Sequence, residues 1–500
     1  MTAAGPRLVA VDVGTSGARA ALFDLDGQLI GEARRPYPTT APRPGWSEQD
    51  GRAWRSAAIG ALADLVRRTG SGSAIRAIGL TGQCPSVVLV DARGRPTGPG
   101  LIYRDNRATA EATAIAERFG AAAMHARTGH LPSAFHIVPK LLWLRTHAPA
   151  AFAAARWALQ PRDLVAFALT GEVATDGTHA AATLCYDLRA AAWDGATLAA
   201  LDLDPGLLPG VRPSTAVVGG LRPAMAGRVG LPAGLPVVIG GADSQACALG
   251  AGVVGSGPVS EMAGSSTCLN AVVAEPLDVL AVTHYPHVVP GPFTTETGIN
   301  TTGAAVGWLA DQLYGGRRGH ARAADYARLD AAAAAAEPGA GGVLMIPVLA
   351  DGERTDPALR GAFTGLSLRH DRGVLARAVM EGVGHAIRAQ LDLLRDGGAA
   401  VTELRVSGGD ARLHAWARIK ADILGIPVRT IDGDAAARGV AMLAGLGIGL
   451  YGDPAEAIAR CVRIAETIEP DPGLQGRYAE RHAAWRSLMA APLVRRIGED

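Results

Sequence analysis

Cysteine is scarce in this sequence and follows no pattern. Five cysteines stand far apart among 500 residues, at positions 84, 185, 247, 268 and 461. An odd number at wide spacing argues against a disulfide framework and against a zinc site, and it suits a reducing compartment. Residues 1–7 also lack the apolar core of a signal peptide. We therefore expect a cytoplasmic protein.

Long apolar runs and an excess of charge are missing as well. A membrane-spanning helix needs about 18 apolar residues, and the nearest candidate, residues 439–451, is shorter and rich in glycine. The formal charge is +1 at pH 7, so charge favours neither nucleic acid nor a membrane surface as a partner. Small molecules remain as the expected partners, and a homodimer is compatible with the sequence.

The chain also lacks a low-complexity linker. Its length and its 48% hydrophobic content allow two or more cores. Strands are predicted at residues 77–81, 87–91, 235–241, 258–274 and 343–348, and helices at residues 52–68, 141–155 and 375–395. We expect two α/β domains, residues 1–250 and 251–500, joined by a tight hinge near residue 250 with a cleft between them.

What the sequence does have is two turns rich in glycine and hydroxyl groups, roughly half a chain apart. Residues 14–17 read Gly-Thr-Ser-Gly and residues 264–266 read Gly-Ser-Ser, each between two apolar strand patterns. Small residues let backbone amides approach a ligand closely, and clustered amides and hydroxyls form an anion-binding concavity. Two copies predict a duplicated fold that holds phosphate groups.

Asp12 stands at the end of the strand before the first turn. Its carboxylate could face a phosphate-bound Mg²⁺, which keeps most of its waters and needs few protein carboxylates. The alternative is an aspartate that caps the turn, as strand-end aspartates often do. Arg19, after the same turn, either lies near the phosphates or is a solvated hairpin arginine.

Six segments in order resemble motifs of the FGGY carbohydrate kinases, members of the superfamily that includes actin and the heat-shock chaperone ATPases. Residues 11–16 and 264–266 are similar to the two phosphate motifs, and residues 240–246 to the segment that carries the catalytic aspartate. Residues 135–144 and 361–382 resemble the two family signatures, and residues 404–410 the adenosine motif. The resemblance covers nearly the whole chain. It implies an α/β fold of two duplicated actin-like (ribonuclease H-like) ATPase domains flanking a catalytic cleft.

The resemblance implies that Asp243 is the catalytic base. A sugar hydroxyl is a poor nucleophile, and an aspartate within hydrogen-bond reach can accept its proton during phosphoryl transfer. Asp243 also precedes a helical pattern, so a helix N-cap is the structural alternative.

The resemblance also implies which residues bind the nucleotide and its phosphates. These candidates are Asp12 (with Mg²⁺, through water), Gly14, Thr15, Ser16, Arg19, Gly264, Ser265, Gly303, Gly408, Gly409 and Asp410. Asp410 replaces a third glycine that is common in the family. A plain strand-to-helix turn is the alternative for Gly408 and Gly409.

Substrate recognition is expected in the amino-terminal half, because polyols are bound by fixed pairs of donors and acceptors. By resemblance, the candidates are Gln83, Cys84, Arg104, Asp105 and Ser244. Xylulokinase-like members carry Met-His after the glutamine and Asn in place of Ser244, so the pocket is related to theirs but altered. A surface loop is the alternative for the charged stretch 104–107.

The expected function is therefore ATP- and Mg²⁺-dependent phosphorylation of a small sugar, with a ketose such as D-xylulose as the first choice. A kinase for another pentulose, hexulose or polyol is the first alternative. A non-catalytic sugar- or nucleotide-sensing protein, or a chaperone-like ATPase, is an alternative from another class. The presence of both Asp12 and Asp243 argues against a sensor, and Gln83 with residues 104–107 argues against a chaperone.

Overall fold

Strands and helices alternate along the chain in the computed structural model, which describes residues 5–314, 322–350, 352, 353, 356 and 358–495. The first four residues of the segment tested for a signal peptide lie outside this range. In the described part of the chain the strands are β1 (Arg7–Val13), β2 (Gly17–Asp24), β3 (Leu29–Pro36), β4 (Glu48–Gln49), β5 (Ile75–Gly82), β6 (Val88–Val90), β7 (Gly100–Leu101), β8 (Trp157–Leu159), β9 (Ala174–Asp176), β10 (Tyr186–Asp187), β11 (Ala192–Trp193), β12 (Gly210–Arg212), β13 (Val217–Gly220), β14 (Pro236–Val238), β15 (Gly257–Ala263), β16 (Thr267–Val273), β17 (Thr283–Pro286), β18 (Phe293–Ile299), β19 (Leu344–Ile346), β20 (Ala362–Thr364), β21 (Val401–Gly408), β22 (Val428–Ile431) and β23 (Ile464–Ile468).

Helices make up most of the remaining regular structure. They are α1 (Gly51–Thr69), α2 (Thr109–Phe119), α3 (Ala121–Thr128), α4 (Ile137–His147), α5 (Pro149–Ala153), α6 (Pro161–Thr170), α7 (Gly177–Ala181), α8 (Gly195–Ala200), α9 (Pro223–Val229), α10 (Asp243–Gly250), α11 (Gly303–Tyr314), α12 (Ala323–Ala335), α13 (Arg372–Asp396), α14 (His414–Leu424), α15 (Ala435–Gly447), α16 (Pro454–Cys461) and α17 (Gln475–Met489). Short 3₁₀ turns lie at Pro205–Leu207, Ala340–Gly342, Asp410–Arg412, Pro472–Leu474 and Pro492–Val494. Among the described residues, no helix combines the length and the apolar character needed to cross a membrane.

The first compact unit runs to Val254 and also contains Val273–Thr295 and Ala435–Val462. Its main sheet has the strand order β13-β14-β5-β1-β2-β3. β1 lies in the middle of this sheet, antiparallel to β2 and parallel to β5. Most of its residues are apolar and buried, as expected for a strand that is covered on both faces.

The second compact unit comprises Gly255–Val272, Glu296–Asp434 and the chain from Arg463 onward. The second large sheet has the order β17-β18-β16-β15-β21-β22-β23. Here β15 is antiparallel to β16 and parallel to β21, and β21 is parallel to β22. The long helix α13 begins after Asp371, whose side chain accepts a hydrogen bond from the amide of Val374.

The two sheets repeat one topology. The order β13-β14-β5-β1-β2 has the same sequence of parallel and antiparallel pairs as β23-β22-β21-β15-β16. Each glycine turn joins the central strand to its antiparallel neighbour, between β1 and β2 and between β15 and β16. The duplicated fold predicted from the two turns is therefore present in the strand order itself.

Several predicted elements differ from the structure. The strands predicted at 235–241 and 343–348 shorten to β14 and β19, and the region 258–274 forms two strands, β15 and β16. The helical pattern at residues 141–155 forms two helices, α4 and α5, with Pro149 at the start of the second. Proline lacks the amide that a continuous helix would use, so the chain breaks there. The predicted strand at residues 87–91 shortens to β6, which pairs with β8 in a separate two-stranded sheet.

Helix α10 is held in the first unit by close packing against α15. A Cβ atom at Gly250 would lie 1.8 Å from the carbonyl oxygen of Ala435, and one at Gly439 would lie 1.9 Å from that of Ala246. Only glycine allows the two helix backbones to approach this closely. α15 also packs on β1 and β5, so the start of α10 has a defined position relative to the central strands.

Candidate active site

The first glycine turn has its carbonyl groups held from one side. The Tyr37 hydroxyl donates to the carbonyl oxygen of Gly14, and Gln49 Nε2 donates to that of Thr15 at 2.7 Å. In a trans peptide the C=O and N–H groups point in opposite directions. The amides of Thr15 and Ser16 therefore point away from these side chains, and the turn presents two N–H groups with two hydroxyls beside them.

Asp12 is half-buried at the end of β1. A Cβ atom at Gly14 would lie 3.5 Å from Asp12 Oδ2, so the carboxylate adjoins the turn. Burial, followed by the charge of Asp12, raises the pKa of Tyr37. Carboxylate and hydroxyl oxygens are the hard donors that Mg²⁺ prefers. No group of three His, Cys, Asp or Glu side chains in the described part of the chain is placed to hold a metal.

Arg19 lies directly opposite Asp12 in the β1–β2 hairpin. Its Nε donates to Glu32 Oε2 at 2.9 Å, and the guanidinium is largely buried. The solvated-arginine alternative is therefore wrong. Because Arg19 forms an ion pair with a carboxylate on β3, its role toward phosphate stays a prediction.

Gln83 and Cys84 follow β5 and adjoin the first turn. The Gln83 amide N–H donates to the carbonyl oxygen of Val13 at 3.0 Å, and Gln83 Nε2 donates to Gln49 Oε1 at 2.8 Å. Burial, followed by the negative charge of Asp243, raises the pKa of the Cys84 thiol. The structure thus brings the sequence-predicted sugar turn, the first phosphate turn and Asp243 into one region of the first unit.

Asp243 is the first residue of α10, and Ala242 occupies the N-cap position. The N-cap alternative is therefore wrong. Its half-buried carboxylate accepts a hydrogen bond from the Ser244 amide at 2.8 Å and lies at the positive end of the helix. Burial raises the pKa of Asp243, while the Ser244 amide and the charge of His179 lower it. A buried carboxyl with a raised pKa in a helix-start position is typical of functional sites.

Ser244 and Gly240 flank this position. The Ser244 side chain is buried, and its Oγ accepts a hydrogen bond from Gln245 Nε2 at 3.3 Å. Gly240 has φ +69, and a Cβ atom there would lie 1.8 Å from the carbonyl oxygen of Leu80. Glycine at this point lets the chain turn beside β5 and enter α10.

Four residues that the sequence analysis did not select surround the segment before Asp243. They are Arg162, Asp176, Thr178 and His179, and all are buried. Arg162 bonds to Asp163 and Asp176, and the Asp176 side chain bonds to Thr178 and His179. Two signals were available in the sequence: an arginine at the start of an apolar helix, and a strand-end aspartate followed by Gly-Thr-His, which is a helix-cap pattern.

The charged stretch 104–107 divides into an exposed and a buried part. Arg104 is exposed and lies over the Tyr103 ring. Asp105 has no exposed surface and accepts hydrogen bonds from the Ser47 amide at 2.6 Å and from Arg107 Nη2 at 2.7 Å. A solvated surface loop is wrong for Asp105 and for Arg107, which lies 3.6 Å over the Trp46 ring. The Asp105 carboxylate anchors this loop, so its role as a substrate ligand stays a prediction.

The second glycine turn, in the second unit, has its carbonyls held by backbone amides. The carbonyl oxygen of Gly264 accepts from the Gly303 amide at 3.1 Å, and that of Ser265 accepts from Thr302 and Ala304 at 3.0 and 3.1 Å. By the same peptide geometry, the amides of Ser265 and Ser266 point away from the start of α11. A Cβ atom at Gly303 would lie 2.3 Å from the Gly264 oxygen, so glycine is required there.

The turn after β21 carries the three remaining candidates. Gly408 has φ +103, and Gly409 is exposed with open space around it. Asp410 is buried and accepts a hydrogen bond from Lys420 Nζ at 3.2 Å, and Lys420 also donates to Glu261 Oε1 at 2.7 Å. Burial raises the pKa of Asp410 to about 6, with Lys420 lowering it and Glu261 raising it. The structure places the Asp410 carboxylate in a buried ion network beneath the turn.

Comparisons with known proteins give matches over most of the chain. The amino-terminal domain model of the FGGY family of carbohydrate kinases matches residues 7–250, and its carboxy-terminal domain model matches residues 260–448. The chain is 31% identical to the xylulose kinase of Escherichia coli, over 87% of this chain and 89% of that protein. It is 33% identical to the glycerol kinase of Leptothrix cholodnii, over 96% and 97% of the two chains.

A solved structure shows the same architecture. The crystal structure of xylulose kinase from Rhodospirillum rubrum has a TM-score of 0.87 to this chain at 32% identity, with 97% of this chain and 98% of that chain covered. The fold is thus the two-domain actin-like ATPase fold. Homology of this extent to xylulose and glycerol kinases makes the protein a phosphotransferase that acts on a sugar or polyol. The chain belongs to the FGGY family of carbohydrate kinases.

Proposed function

We propose that this enzyme transfers the γ-phosphoryl group of ATP to a hydroxyl of a small ketose, with D-xylulose as the first substrate to test. One observation carries the proposal: the half-buried carboxylate of Asp243, with its raised pKa, shares a region of the first unit with the Cys84 turn. The similarity to xylulose kinases over most of the chain supports the ketose. A small polyol such as glycerol is the second candidate, because a glycerol kinase is similar to the same extent.

Asp243 acts as the general base in this proposal. Its carboxylate accepts the proton of the substrate hydroxyl while the hydroxyl oxygen forms a bond to the γ-phosphorus and the bond from that phosphorus to the ADP oxygen breaks. A raised pKa makes the carboxylate a stronger base, and the Ser244 amide at 2.8 Å keeps it in place in its ionised form. The products are the sugar phosphate, ADP and the proton held by Asp243.

The glycine turns neutralise phosphate charge. The amides of Thr15 and Ser16 and the hydroxyls beside them suit the transferred phosphoryl group, and the amides of Ser265 and Ser266 suit the nucleotide phosphates. A magnesium ion, when bound, supplies positive charge to the phosphates. Asp12 would hold its water ligands. We assign the sugar to residues 1–250 and the nucleotide to residues 251–500, where Gly409 has open space around it for a ligand against the backbone.

The sugar-side residues divide into ligands and supports. The polar atoms of Gln83 and Asp105 are hydrogen-bonded to protein groups. We therefore assign these two residues a role in shaping the pocket. Cys84, Ser244 and the exposed Arg104 are the side chains we assign to the sugar. Cys84 is followed by a proline, which has no amide to donate, so the sugar must find its donors elsewhere.

The test is a substrate panel with a matched pair of variants. Release of ADP is measured with D-xylulose, other pentuloses, hexuloses and glycerol, for the unmodified enzyme, Asp243→Asn and Asp202→Asn. We expect D-xylulose to give the highest kcat/KM, and Asp243→Asn to lower it by ~10²–10⁴-fold. Asp202 is exposed with φ +53, a conformation that asparagine tolerates, so Asp202→Asn should keep full activity.

Each outcome of the panel has a meaning. A clear preference for glycerol would select the second candidate and leave the role of Asp243 standing. Near-normal turnover of Asp243→Asn on its best substrate would remove this residue from the mechanism. ADP release that no ketose or polyol stimulates would overturn the proposed substrate class.

A further inference from the structure

The backbone leading into Asp243 is bonded to side chains at each of four successive residues. Arg162 Nη1 donates to the carbonyl oxygens of residues 239 and 240 at 2.8 and 2.9 Å. Thr81 Oγ1 donates to the oxygen of residue 241 at 2.7 Å. Thr178 Oγ1 accepts from the amide of residue 242 at 2.8 Å. Glycine-containing backbone is flexible by itself, so these bonds determine where Asp243 sits.

Asp176 joins two of these side chains. One of its carboxylate oxygens accepts from Thr178 Oγ1 at 2.7 Å and from Ser214 Oγ at 2.8 Å. The other accepts from His179 Nδ1 at 2.9 Å and lies 3.1 Å from Arg162 Nη2. Asp176 has no exposed surface. A single buried carboxylate thus orients both the arginine and the threonine that hold the segment before the base.

We propose that Asp176 is a positioning residue for Asp243: it holds the backbone that carries the base through Thr178 and Arg162. The inference rests on the proposed function, since it requires Asp243 to be the base. It makes the kinase activity depend on a buried side chain that precedes the base by more than 60 positions in the sequence.

The positioning role of Asp176 is tested with a matched pair of variants at Thr178. Thr178→Val keeps the side-chain volume but removes the acceptor for the residue 242 amide, whereas Thr178→Ser keeps the acceptor. We expect Thr178→Val to lower kcat by ~10-fold or more, with the KM for ATP unchanged, and Thr178→Ser to keep most of the activity. Asp176→Asn should lower kcat at least as much. Thermal melting checks that both variants are folded. Equal kcat for the valine and serine variants would then overturn the inference.

These outcomes are separable from failure of the proposed function. If Asp243→Asn keeps near-normal turnover, the base assignment fails, and the positioning inference fails with it. If Asp243→Asn is inactive while Thr178→Val keeps the kcat of the unmodified enzyme, the base assignment stands and only the inference fails.

Discussion

The two glycine turns occupy equivalent places in a repeated sheet but are held in different ways. In the first unit Val13 pairs with Gly82 across the β1–β5 ladder, and in the second Ala263 pairs with Gly408 across the β15–β21 ladder. The first turn is held by the side chains of Tyr37 and Gln49. The second is held by backbone amides at the start of α11. The same presentation of amides is thus reached by two different means.

The chemistry beside the turns also differs. Asp12 precedes Gly14 by two residues, whereas Met262 holds the corresponding place before Gly264. The charged residue of the second strand is Glu261, which is buried and bonded to Lys420. The topological repeat therefore does not repeat the side chains beside the turn: the first turn has the Asp12 carboxylate next to it, and the carboxylate of the second strand is bonded to a buried lysine.

The largest effect is expected from replacing Gly408 and Gly82, which occupy equivalent positions in the two strand ladders, by alanine. A Cβ atom at Gly408, which has φ +103, would lie 2.1 Å from the Ala263 oxygen, whereas one at Gly82 would lie 3.1 Å from the Val13 oxygen. Gly408→Ala should lower the free energy of unfolding by about 2–4 kcal/mol and Gly82→Ala by about 1 kcal/mol. Urea denaturation measures both. Equal losses would contradict the predicted difference in packing between the two positions.

A smaller effect is expected from the residues two positions before each turn. Asp12→Ala should lower turnover and raise the Mg²⁺ concentration needed for half-maximal activity by ~10–100-fold, because the carboxylate that orients the metal's water is lost. Met262→Ala is the matched control and should leave the Mg²⁺ requirement unchanged. Magnesium titrations of ADP release test the pair. A variant at Asp12 that loses sugar affinity but keeps its metal dependence would contradict the assignment.

Asp410 should make the stability of the second unit depend on pH. Its pKa is raised to about 6 in the folded state, above its usual value of about 3.9 in an unfolded chain. Between these values the folded state binds the proton more tightly, so the contribution of Asp410 becomes less favourable as pH rises from 4 to 6 and is constant above that. Comparing urea unfolding of Asp410→Asn and the unmodified protein from pH 4.5 to 7.5 should reveal about 1–3 kcal/mol of this dependence. A difference in the free energy of unfolding between the two proteins that does not vary with pH would show that Asp410 does not cause this dependence.

The smallest effect is expected at Tyr37, whose side chain holds a carbonyl of the first turn as backbone amides hold those of the second. Tyr37→Phe removes one hydrogen bond to the Gly14 oxygen, which is worth about 1 kcal/mol. The KM for ATP should rise ~5-fold while the melting temperature changes little. Thr40→Val, on the exposed surface of the same unit, is the control. An unchanged KM would show that the first turn keeps its shape without Tyr37.

Sequence reasoning succeeded where the physics is local. Strand–turn–strand patterns, the glycines at 14 and 264, and the apolar face of α13 are set by residues a few positions apart, and the structure has these elements. The family resemblance added the order of the motifs, and the family models matched the same regions. The predicted helix at residues 141–155 missed its break although Pro149 stands within it, because the helical pattern was followed past the proline.

The burial of charged side chains and their hydrogen-bond partners could be known only from the tertiary structure. Nothing in the sequence indicates that Asp105 is buried against Ser47, or that Asp410 bonds to Lys420. Burial and partner choice depend on which distant segments meet, and charged residues are mostly exposed, so a charged stretch is predicted as surface. Only the structure separates Arg104, which is exposed, from its buried neighbour.

The sequence by itself determined the duplicated strand–turn–strand pattern, the two glycine turns and the kinase family, because these depend on local spacing and on motif order. The tertiary structure alone decided what surrounds Asp243. Arg162, Asp176 and Thr178 lie far from it in the chain, on α6, β9 and α7, and together hold the backbone that leads into it. No local pattern connects these elements. The electrostatic environment of the proposed base is therefore a property of long-range packing, since charge interactions depend on distance through space.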